Sequence, residues 1–564
     1  MEHPLNIHLT SCSLISSLGF GVERHVAAIQ AYQSGIVPQP AGRVSDEPML
    51  AALIDPVLLK RRVEESRLTG YTRLEQLFIL CIQEVLEHSG ADLQQADCAL
   101  LLSTTKGNVD LLATSSLLAA DSPAYLWKMA ERVGHHFGAA NRVEVISNAC
   151  ISGLSALIVA KRWIESGRYR QVVVAGGDVL SHFITSGFHS LRSVSAERCR
   201  PYDSRRDGLS LGEACGAIVL EAKEGADGIV LAGGAISNDA NHITGPSRTG
   251  DGLALAIHQA LDEAGVTPDG VSFVNAHGTA TVYNDEMESK ALHLTGLADV
   301  PVNSLKSYLG HTLGASGIIE TILCAEQLRS GILYGTLGFE RLGVPMPIHV
   351  SSLHQRLPMR CCVKTASGFG GCNAAVVLSL PAYSHPIRPE AAIAVRTDKR
   401  VTLESDQDFH TFIRTAYKEQ GGSNPKFYKM DDLCKLGYVA AEQLLQGLSF
   451  PPEKIGILLA NASASLDTDS KQQALISQEG DHAASPALFV YTLPNVVLGE
   501  ICIRHKIQGE NTFFVSREYD ERQMDEYARI VMAKQKLSCC IVGWCELYKE
   551  HYYATFKTLI CQHP

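Results

Sequence analysis

The stretch VEVISNACISGLSALIVAKRWIESG, residues 143–167, predicts a short strand that turns directly into a helix. Residues 143–146 form a β-type run, and residues 151–164 have the apolar spacing of a helix. Cys150 stands at the turn between them. A thiol at the first turn of a helix lies near unpaired backbone N–H groups, which favour the thiolate and can hold an oxyanion. We therefore expect a reactive cysteine with a lowered pKa at this turn.

The same alternation of apolar strands and amphipathic helices continues through the first 380 residues. Strand-like runs include 172–175 (VVVA), 217–220 (AIVL) and 271–275, and helical patterns include 151–166 and 253–265. Strands that are apolar on both faces indicate sheets covered by helices on each side. The sequence therefore predicts an α/β layered fold.

Composition excludes several classes of function. The 564 residues carry 49 Lys and Arg against 60 Asp and Glu, a net charge of −11, which argues against a nucleic-acid-binding surface. The amino terminus has no basic segment before an apolar core, and no apolar run is long enough to span a bilayer. The 16 cysteines form no CxxC pair or zinc-type cluster with histidine. We expect a cytoplasmic protein with reduced thiols, no metal and no membrane contact.

Three further loops carry side chains suited to chemistry. His277 follows a strand in SFVNAHGTATVYND, residues 272–285. Lys306 and His311 lie in NSLKSYLGHTLGASG, residues 303–317, ahead of a helix whose dipole disfavours an imidazolium ring. Glycines surround an aromatic residue in SGFGGCN, residues 367–373, and permit positive φ and close backbone approach. Each segment alone is a weak signal, since a turn histidine, a surface lysine or a plain tight turn would look the same.

Together and in this order, the four segments resemble the β-ketoacyl-acyl-carrier-protein synthases with a Cys-His-His triad. The resemblance covers about residues 5–381 and rests on SNACISG, NAHGTATVYNDEMESKAL, NSLKSYLGHTLGASGIIE and SGFGGCNAAVV. It implies a thiolase-like fold with α-β-α-β-α layers. That fold has two duplicated halves, about 1–230 and 231–381, each with a five-stranded sheet.

The resemblance implies a decarboxylative Claisen condensation. Cys150 would take an acyl group from an acyl carrier protein, and His277 and His311 would stabilise the enolate left when a malonyl extender loses CO₂. The tetrahedral oxyanion would rest on the backbone N–H groups of Cys150 and Phe369. The product is a β-ketoacyl-carrier protein in fatty-acid, polyketide or aryl-polyene-type biosynthesis.

Supporting roles follow from the same resemblance. Lys306 would order the second histidine, Glu320 would support the site, and Phe369 would be the aromatic gate beside the nucleophile. Thr279 and Thr281 would hold a phosphopantetheine arm, which arrives on the carrier protein, so no cofactor of the enzyme's own is expected.

An acidic carrier protein implies a basic entrance. The candidates for docking it are Lys60, Arg61, Arg62, Arg67, Arg205 and Arg206. A solvated helix face explains the KRR run of residues 60–62 equally well.

The last third of the chain looks like a partial repeat of the first. A proline-rich linker, residues 382–392, precedes a domain of residues 393–564, in which IGILLANASASLD (455–467) resembles CALLLSTTKGNVD (98–110). Aligning the two copies places Tyr519 at the position of Cys150, so this half-thiolase-like α/β domain lacks the nucleophile. We expect a homodimer or a pseudo-dimer in which this domain acts as the partner. A second ketosynthase-like chain is also compatible with the pattern.

Two other functions stay open at this stage. A chain-length-factor-like partner would not catalyse, but such partners lack the nucleophile. A thiolase-type acyltransferase needs a second cysteine, and Cys372 is near enough in sequence to consider, although we interpret it as a packing residue. Ser367, Ala280 and Val282 replace residues usual in the family, which bears on chain length and gating rather than on the reaction.

Overall fold

The computed structural model describes residues 5–114, 119, 121–225, 228–386 and 393–562. Within this part of the chain, no helix is both long and apolar enough to cross a bilayer. Most of the predicted linker, residues 387–392, lies outside the described residues.

The first unit is built around a mixed sheet. Its strands are β1 (Asn6–Ser16), β2 (Gly19–Phe20), β3 (Val37–Gln39), β4 (Met49–Ala52), β5 (Cys98–Ser103), β6 (Glu144–Ile146), β7 (Gln171–Asp178), β8 (Leu211–Gly212) and β9 (Ala214–Lys223). Its helices are α1 (Val22–Gln30), α2 (Pro56–Glu65), α3 (Arg73–Glu87), α4 (Leu126–Phe137), α5 (Ser152–Glu165) and α6 (His182–Ser190). The main sheet has the order β6–β5–β7–β9–β1, with β6, β5 and β7 parallel and the other pairings antiparallel.

The second unit repeats this sheet. Its strands are β10 (Ile229–Asn238), β11 (Val271–Asn275), β12 (Pro301–Asn303), β13 (Ile332–Leu333), β14 (His349–Val350), β15 (Gln355–Arg356), β16 (Cys361–Gly368) and β17 (Cys372–Ser379). Its helices are α7 (Asp251–Ala264), α8 (Val282–Leu294), α9 (Lys306–Leu309) and α10 (Ser316–Ser330). The order β12–β11–β16–β17–β10 has the same parallel and antiparallel pattern. The two units confirm the predicted α/β fold with duplicated halves.

The third unit has the sheet of one half only. Its strands are β18 (Val395–Leu403), β19 (Ile455–Asn461), β20 (Asn511–Val515), β21 (Cys539–Tyr548) and β22 (His551–Cys561). Its helices are α11 (Phe409–Glu419), α12 (Asp432–Leu445), α13 (Leu466–Glu479), α14 (Pro486–Tyr491), α15 (Val496–His505) and α16 (Glu521–Lys534). The order β20–β19–β21–β22–β18 again matches the first unit, strand for strand.

Helices α5 and α10 form the central layer between the first two sheets. Every residue of α5 from Ser152 to Ile164 is buried, which explains its nearly continuous apolar sequence. The helices touch through glycines: a Cβ at Gly153 would lie 2.8 Å from the Ile318 nitrogen, and a Cβ at Gly317 would lie 2.4 Å from the Leu154 nitrogen. Side chains at these positions would push the two helices apart.

The third unit joins the first through a continuous sheet. Strand β20 pairs antiparallel with β6, with Phe514 opposite Ile146 and Val515 opposite Val145. Because β20 has in the third unit the place that β6 has in the first, the junction relates two equivalent strand edges. The exposed edge that β6 would otherwise leave is therefore covered by the chain's own third unit.

Buried charges cross the same junction. Arg162 Nη1 lies 2.7 Å from Glu510 Oε1, with both side chains almost fully buried. Lys106 Nζ lies 2.6 Å from Asp469 Oδ1 and also donates to the Thr492 carbonyl. Breaking a buried pair leaves an uncompensated charge, so separating the first and third units would be costly.

Replacing Gly317 with alanine tests the helix contact. We expect Gly317→Ala to lower the free energy of unfolding by about 1–3 kcal/mol, because the new Cβ overlaps the backbone of α5 and the core must shift. Denaturant unfolding measures it. Gly90→Ala is the control, since a Cβ there meets nothing within 4 Å. Equal stability of the two variants would show that α5 and α10 do not touch as described.

Candidate active site

Cys150 lies in a tight turn between β6 and α5. The turn, Ala149–Ile151, is a 3₁₀ segment in which Ala149 has a φ of 48°. The Asn148 N–H donates to Ser152 Oγ at 2.8 Å and closes the turn. Cys150 is half-buried as a residue, its thiol is buried, and it lines the cavity described below. The predicted strand–turn–helix arrangement is therefore present around this thiol.

His311 contacts the thiol directly. Its Nε2 lies 3.2 Å from Cys150 Sγ, and its Nδ1 lies 3.2 Å from the Ser316 hydroxyl oxygen. The Ser316 hydroxyl in turn lies 3.0 Å from that of Thr312. Because a hydroxyl can donate or accept, Ser316 can partner either neutral tautomer of His311.

His277 completes a compact triad. It follows β11, and the backbone N–H groups of His277 and Gly278 each donate to Glu288 at 2.7 Å. The His277 and His311 rings are 5.2 Å apart and nearly perpendicular. One ring nitrogen of each histidine and the Cys150 sulfur lie within 4.8 Å of one another. These atoms could also ligate Zn²⁺, but that would occupy the thiol.

A Lys–Glu–Lys cluster is buried behind the triad. Glu320 on α10 accepts from Lys306 Nζ at 2.8 Å and from Lys364 Nζ, and all three side chains are almost completely buried. Lys364 Nζ also lies 3.5 Å from the carbonyl of Ala276, the residue before His277. Both lysines lower the pKa of Glu320 against the effect of its burial, which keeps the carboxylate ionised.

Burial dominates the protonation of the triad. It lowers the pKa of both histidines well below the ordinary value, and Lys306 and Lys364 lower it further, so both rings are neutral as expected. The predicted lowering of the cysteine pKa is wrong. Burial raises the pKa of the Cys150 thiol to about 12, and the opposing effect of the Lys306 ammonium is too small to reverse it. The resting triad therefore contains a thiol rather than a thiolate.

The triad opens into a cavity of about 110 Å³. Thr279 and Thr281 line it, with their hydroxyl oxygens 2.9 Å apart, as does the partly exposed Phe369. A Cβ at Gly368 would lie 3.1 Å from the Cys150 backbone nitrogen, so the glycine loop passes directly over the nucleophile. The residues that the resemblance selects from four distant segments thus share one site.

The predicted docking residues do not line this cavity: none of the six contributes to its described lining. Arg206 is wrong as a docking residue, because its buried guanidinium donates to the carbonyls of Gly343 (2.7 Å) and Asp203 (3.1 Å). Arg205 is exposed and pairs with Glu340 at 2.6 Å. Lys60, Arg61, Arg62 and Arg67 are exposed on or just after α2, and their role stays a prediction.

Sequence reasoning assigned no role to Glu288 or Lys364. Glu288 lies inside the motif NDEMESKAL, one helical turn after Asp285. Two carboxylates on the same face of a helix are the sequence pattern that could have indicated a role for it. Lys364 is a single charged residue within the apolar strand CCVKTASG, and a charge in a buried strand is informative because it must be paired.

Comparison with known proteins identifies the family. The models "Beta-ketoacyl synthase, N-terminal domain" and "Beta-ketoacyl synthase, C-terminal domain" match residues 58–226 and 229–340. The tetracenomycin polyketide synthase ketoacyl synthase alpha subunit of Streptomyces glaucescens is 30% identical over 348 residues, which are 55% of this chain and 82% of that protein. The chain belongs to the β-ketoacyl synthase family.

A second relative and a solved structure show how much of the chain is similar to known proteins. The 3-oxoacyl-[acyl-carrier-protein] synthase 2 of Vibrio cholerae is 28% identical over 411 residues, 65% of this chain and 97% of that protein. A solved structure of the PfaC ketosynthase–chain length factor covers 99% of this chain and 78% of its own, with a TM-score of 0.75 and 14% identity, a likeness of fold alone. This β-ketoacyl synthase is an acyltransferase, a condensing enzyme of fatty-acid or polyketide biosynthesis.

Removing the Lys364 charge tests its effect on the histidines. In Lys364→Met, we expect the acidic limb of the pH–rate profile of condensation to move to higher pH. The nearby ammonium lowers both histidine pKa values, so its loss raises them and the rings become protonated earlier on acidification. Lys364→Arg keeps the charge and should keep the limb in place. An unmoved limb in Lys364→Met would contradict this electrostatic role.

Proposed function

We propose that this β-ketoacyl synthase extends an acyl chain held on Cys150 with a malonyl unit delivered by an acyl carrier protein. The observation that carries the proposal is the triad itself, in which a thiol and two neutral imidazoles converge at the base of one cavity. Phosphopantetheine would enter on the carrier protein and be held by Thr279 and Thr281.

In the first half-reaction, His311 Nε2 takes the thiol proton as Cys150 Sγ attacks the acyl thioester. A pKa of about 12 makes a free thiolate scarce, so a base 3.2 Å away is what makes the thiol reactive. The tetrahedral oxyanion accepts hydrogen bonds from the Cys150 and Phe369 N–H groups. The carrier's phosphopantetheine thiolate leaves, takes up the proton and is released as a thiol.

In the second half-reaction, the malonyl thioester loses CO₂ and leaves an enolate. For this step His311 is the tautomer protonated at Nε2, with Nδ1 accepting from the Ser316 hydroxyl. Neutral His277 and His311 rings then donate to the enolate oxygen, and each such donor is typically worth about 3–4 kcal/mol. The enolate carbon attacks the acyl–Cys150 carbonyl, and the Cys150 thiolate leaves and takes up one proton from solvent. One acyl thioester, one malonyl thioester and one proton thus give one β-ketoacyl thioester, one free carrier thiol and one CO₂ per cycle, with no external base to remove an α-proton.

The two alternative functions have weaker support. A non-catalytic chain-length-factor-like role leaves the complete triad without a purpose. A thiolase-type reaction needs a second reactive cysteine, but Cys372 is buried, is absent from the described cavity lining, and contacts the Phe369 carbonyl at 3.3 Å through its sulfur.

A Cys150→Ala variant tests the proposal directly. With acyl- and malonyl-carrier protein, we expect β-ketoacyl product formation to fall at least about 10³-fold, because the acyl acceptor is gone. CO₂ release from malonyl-carrier protein should persist, since both histidines remain. Mass spectrometry of the carrier proteins and CO₂ trapping measure the two outcomes separately.

Cys372→Ala is the matched control and should condense at nearly the wild-type rate. Condensation by Cys150→Ala would remove the assignment of the nucleophile. Loss of activity in Cys372→Ala, together with activity on substrates that have no malonyl carboxylate, would favour the thiolase-type alternative.

We further propose that the third unit serves as a built-in partner. Related solved structures include ketosynthases in complex with chain length factors, and one with its acyl carrier protein. Here the strand edge of β6 is already paired with β20. The third unit has Tyr519, and no thiol, after the strand equivalent to β6, so it would contribute a surface rather than a second site.

The occupied edge predicts the oligomeric state. We expect light scattering during gel filtration to give a monomer mass of about 61.0 kDa, because the edge that would pair two copies is covered intramolecularly. A dimer of about twice this mass that persists on dilution would contradict the built-in partner.

A further inference from the structure

The loop that carries Phe369 is held by hydrogen bonds from both sides. The Phe369 carbonyl accepts from Asn495 Nδ2 at 2.8 Å. The Gly370 N–H donates to the Ile243 carbonyl at 2.7 Å, and the Gly370 carbonyl accepts from Asn238 Nδ2 at 2.9 Å. Asn495, which immediately precedes α15, belongs to the third unit, whereas the other two partners belong to the second.

The side-chain amide nitrogen of Asn495 makes its described contacts with this loop. Its side chain is 1% exposed, and Nδ2 also approaches the Cys372 sulfur at 3.7 Å. Among the described residues, none donates to its buried Oδ1. The unpaired Oδ1 contributes nothing that would orient the amide, and its burial costs free energy. The hydrogen bond from Nδ2 to the Phe369 carbonyl therefore sets the orientation of this amide.

The loop of Phe369 and the start of α15 are in close contact. Gly370 has a φ of +90°, and a Cβ there would lie 2.7 Å from Asn495 Nδ2. On the other side, a Cβ at Gly499 in α15 would lie 2.7 Å from the Gly370 carbonyl oxygen. Since a side chain at either glycine would force the loop and α15 apart, the third unit packs directly on the loop.

The Phe369 ring is connected to the third unit as well. It stacks on Phe188 with ring centres 6.3 Å apart, and Phe188 meets Phe489 of α14 edge-on at 5.4 Å. A Cβ at Gly187 would lie 2.1 Å from the Phe489 ring, so α6 and α14 are in close contact there. The backbone of Phe369 thus contacts the third unit directly, and its ring contacts the third unit through Phe188.

We infer that Asn495 is a positioning residue for the gate, and that the third unit thereby controls access to Cys150. This inference rests on the proposed function for its meaning in catalysis, but the contact itself is independent of it. Asn495 holds the Phe369 carbonyl and fixes the loop over the nucleophile. Without that hydrogen bond the loop loses its only described side-chain donor from the third unit, and Phe369 is freer to swing from the cavity.

Alkylation of Cys150 by iodoacetamide tests the inference without requiring turnover. In Asn495→Leu, of similar volume but without a donor, we expect the rate of Cys150 alkylation, read by peptide mass spectrometry, to rise about threefold or more. Asn495→Asp keeps the shape, removes the donor and should behave similarly. Gly499→Ala should change the rate in the same direction, because its Cβ pushes on the Gly370 carbonyl.

Asn424→Leu is the matched control, because Asn424 is a polar residue of the same unit whose side chain hydrogen-bonds to Tyr438 and the Lys426 N–H and not to the loop of Phe369. It should alkylate at the wild-type rate. A general loosening of the third unit would instead raise the rate in all variants and lower all melting temperatures, which would overturn the inference. Folded Asn495→Leu and Asn495→Asp proteins with wild-type alkylation rates would overturn it too.

Steady-state kinetics add a readout specific to gating. We expect Asn495→Asp to change KM for the acyl-carrier protein more than the rate of malonyl decarboxylation, because the gate lies on the path to Cys150. If the proposed function is wrong, the wild-type protein will not condense, but the Asn495 variants will still be alkylated faster than the wild type. Failure of this inference would appear as normal condensation with no difference between Asn495 and Asn424 variants.

Discussion

The close contact of α5 and α10 at Gly153 and Gly317 is the constraint on which the site depends. Helix α5 begins two residues after Cys150 and α10 begins five residues after His311, so the packing of these helices helps to set the distance between the two side chains. The duplicated halves supply one helix each. Side chains at the crossing would push the two helices apart. Function here is therefore a consequence of packing between repeats.

Electrostatics in this site follow burial more than helix dipoles. A helix terminus contributes a partial charge that falls off within a turn, whereas desolvation acts on the whole charged form. For His311, which precedes α10, the two effects agree and the ring is neutral. For Cys150 they oppose each other, and burial prevails. In the proposed mechanism the thiol therefore depends on a nearby base, and Glu320 pairs with Lys306 and Lys364, the buried positive charges behind the rings.

The third unit shows how a repeat without catalytic residues can remain part of a working site. It has the same sheet order, which lets β20 cover the edge of β6, and it forms buried ion pairs with the first unit, such as Glu510 with Arg162. Tyr519 stands in it where the first unit has the Cys150 thiol. Through Asn495 the third unit contacts the loop that carries Phe369.

The sequence alone determined the local chemistry: a thiol at a strand–helix turn, histidines after strands, a glycine loop and a partial repeat are all local patterns or ordered motifs. It also placed Lys306 and Glu320, through the resemblance. Tertiary structure decided what local patterns do not contain. The pKa of Cys150, the burial of Arg206 and the roles of Lys364 and Asn495 depend on residues tens to more than a hundred positions away, because desolvation and hydrogen bonding are set by what folds around a group, not only by its neighbours along the chain.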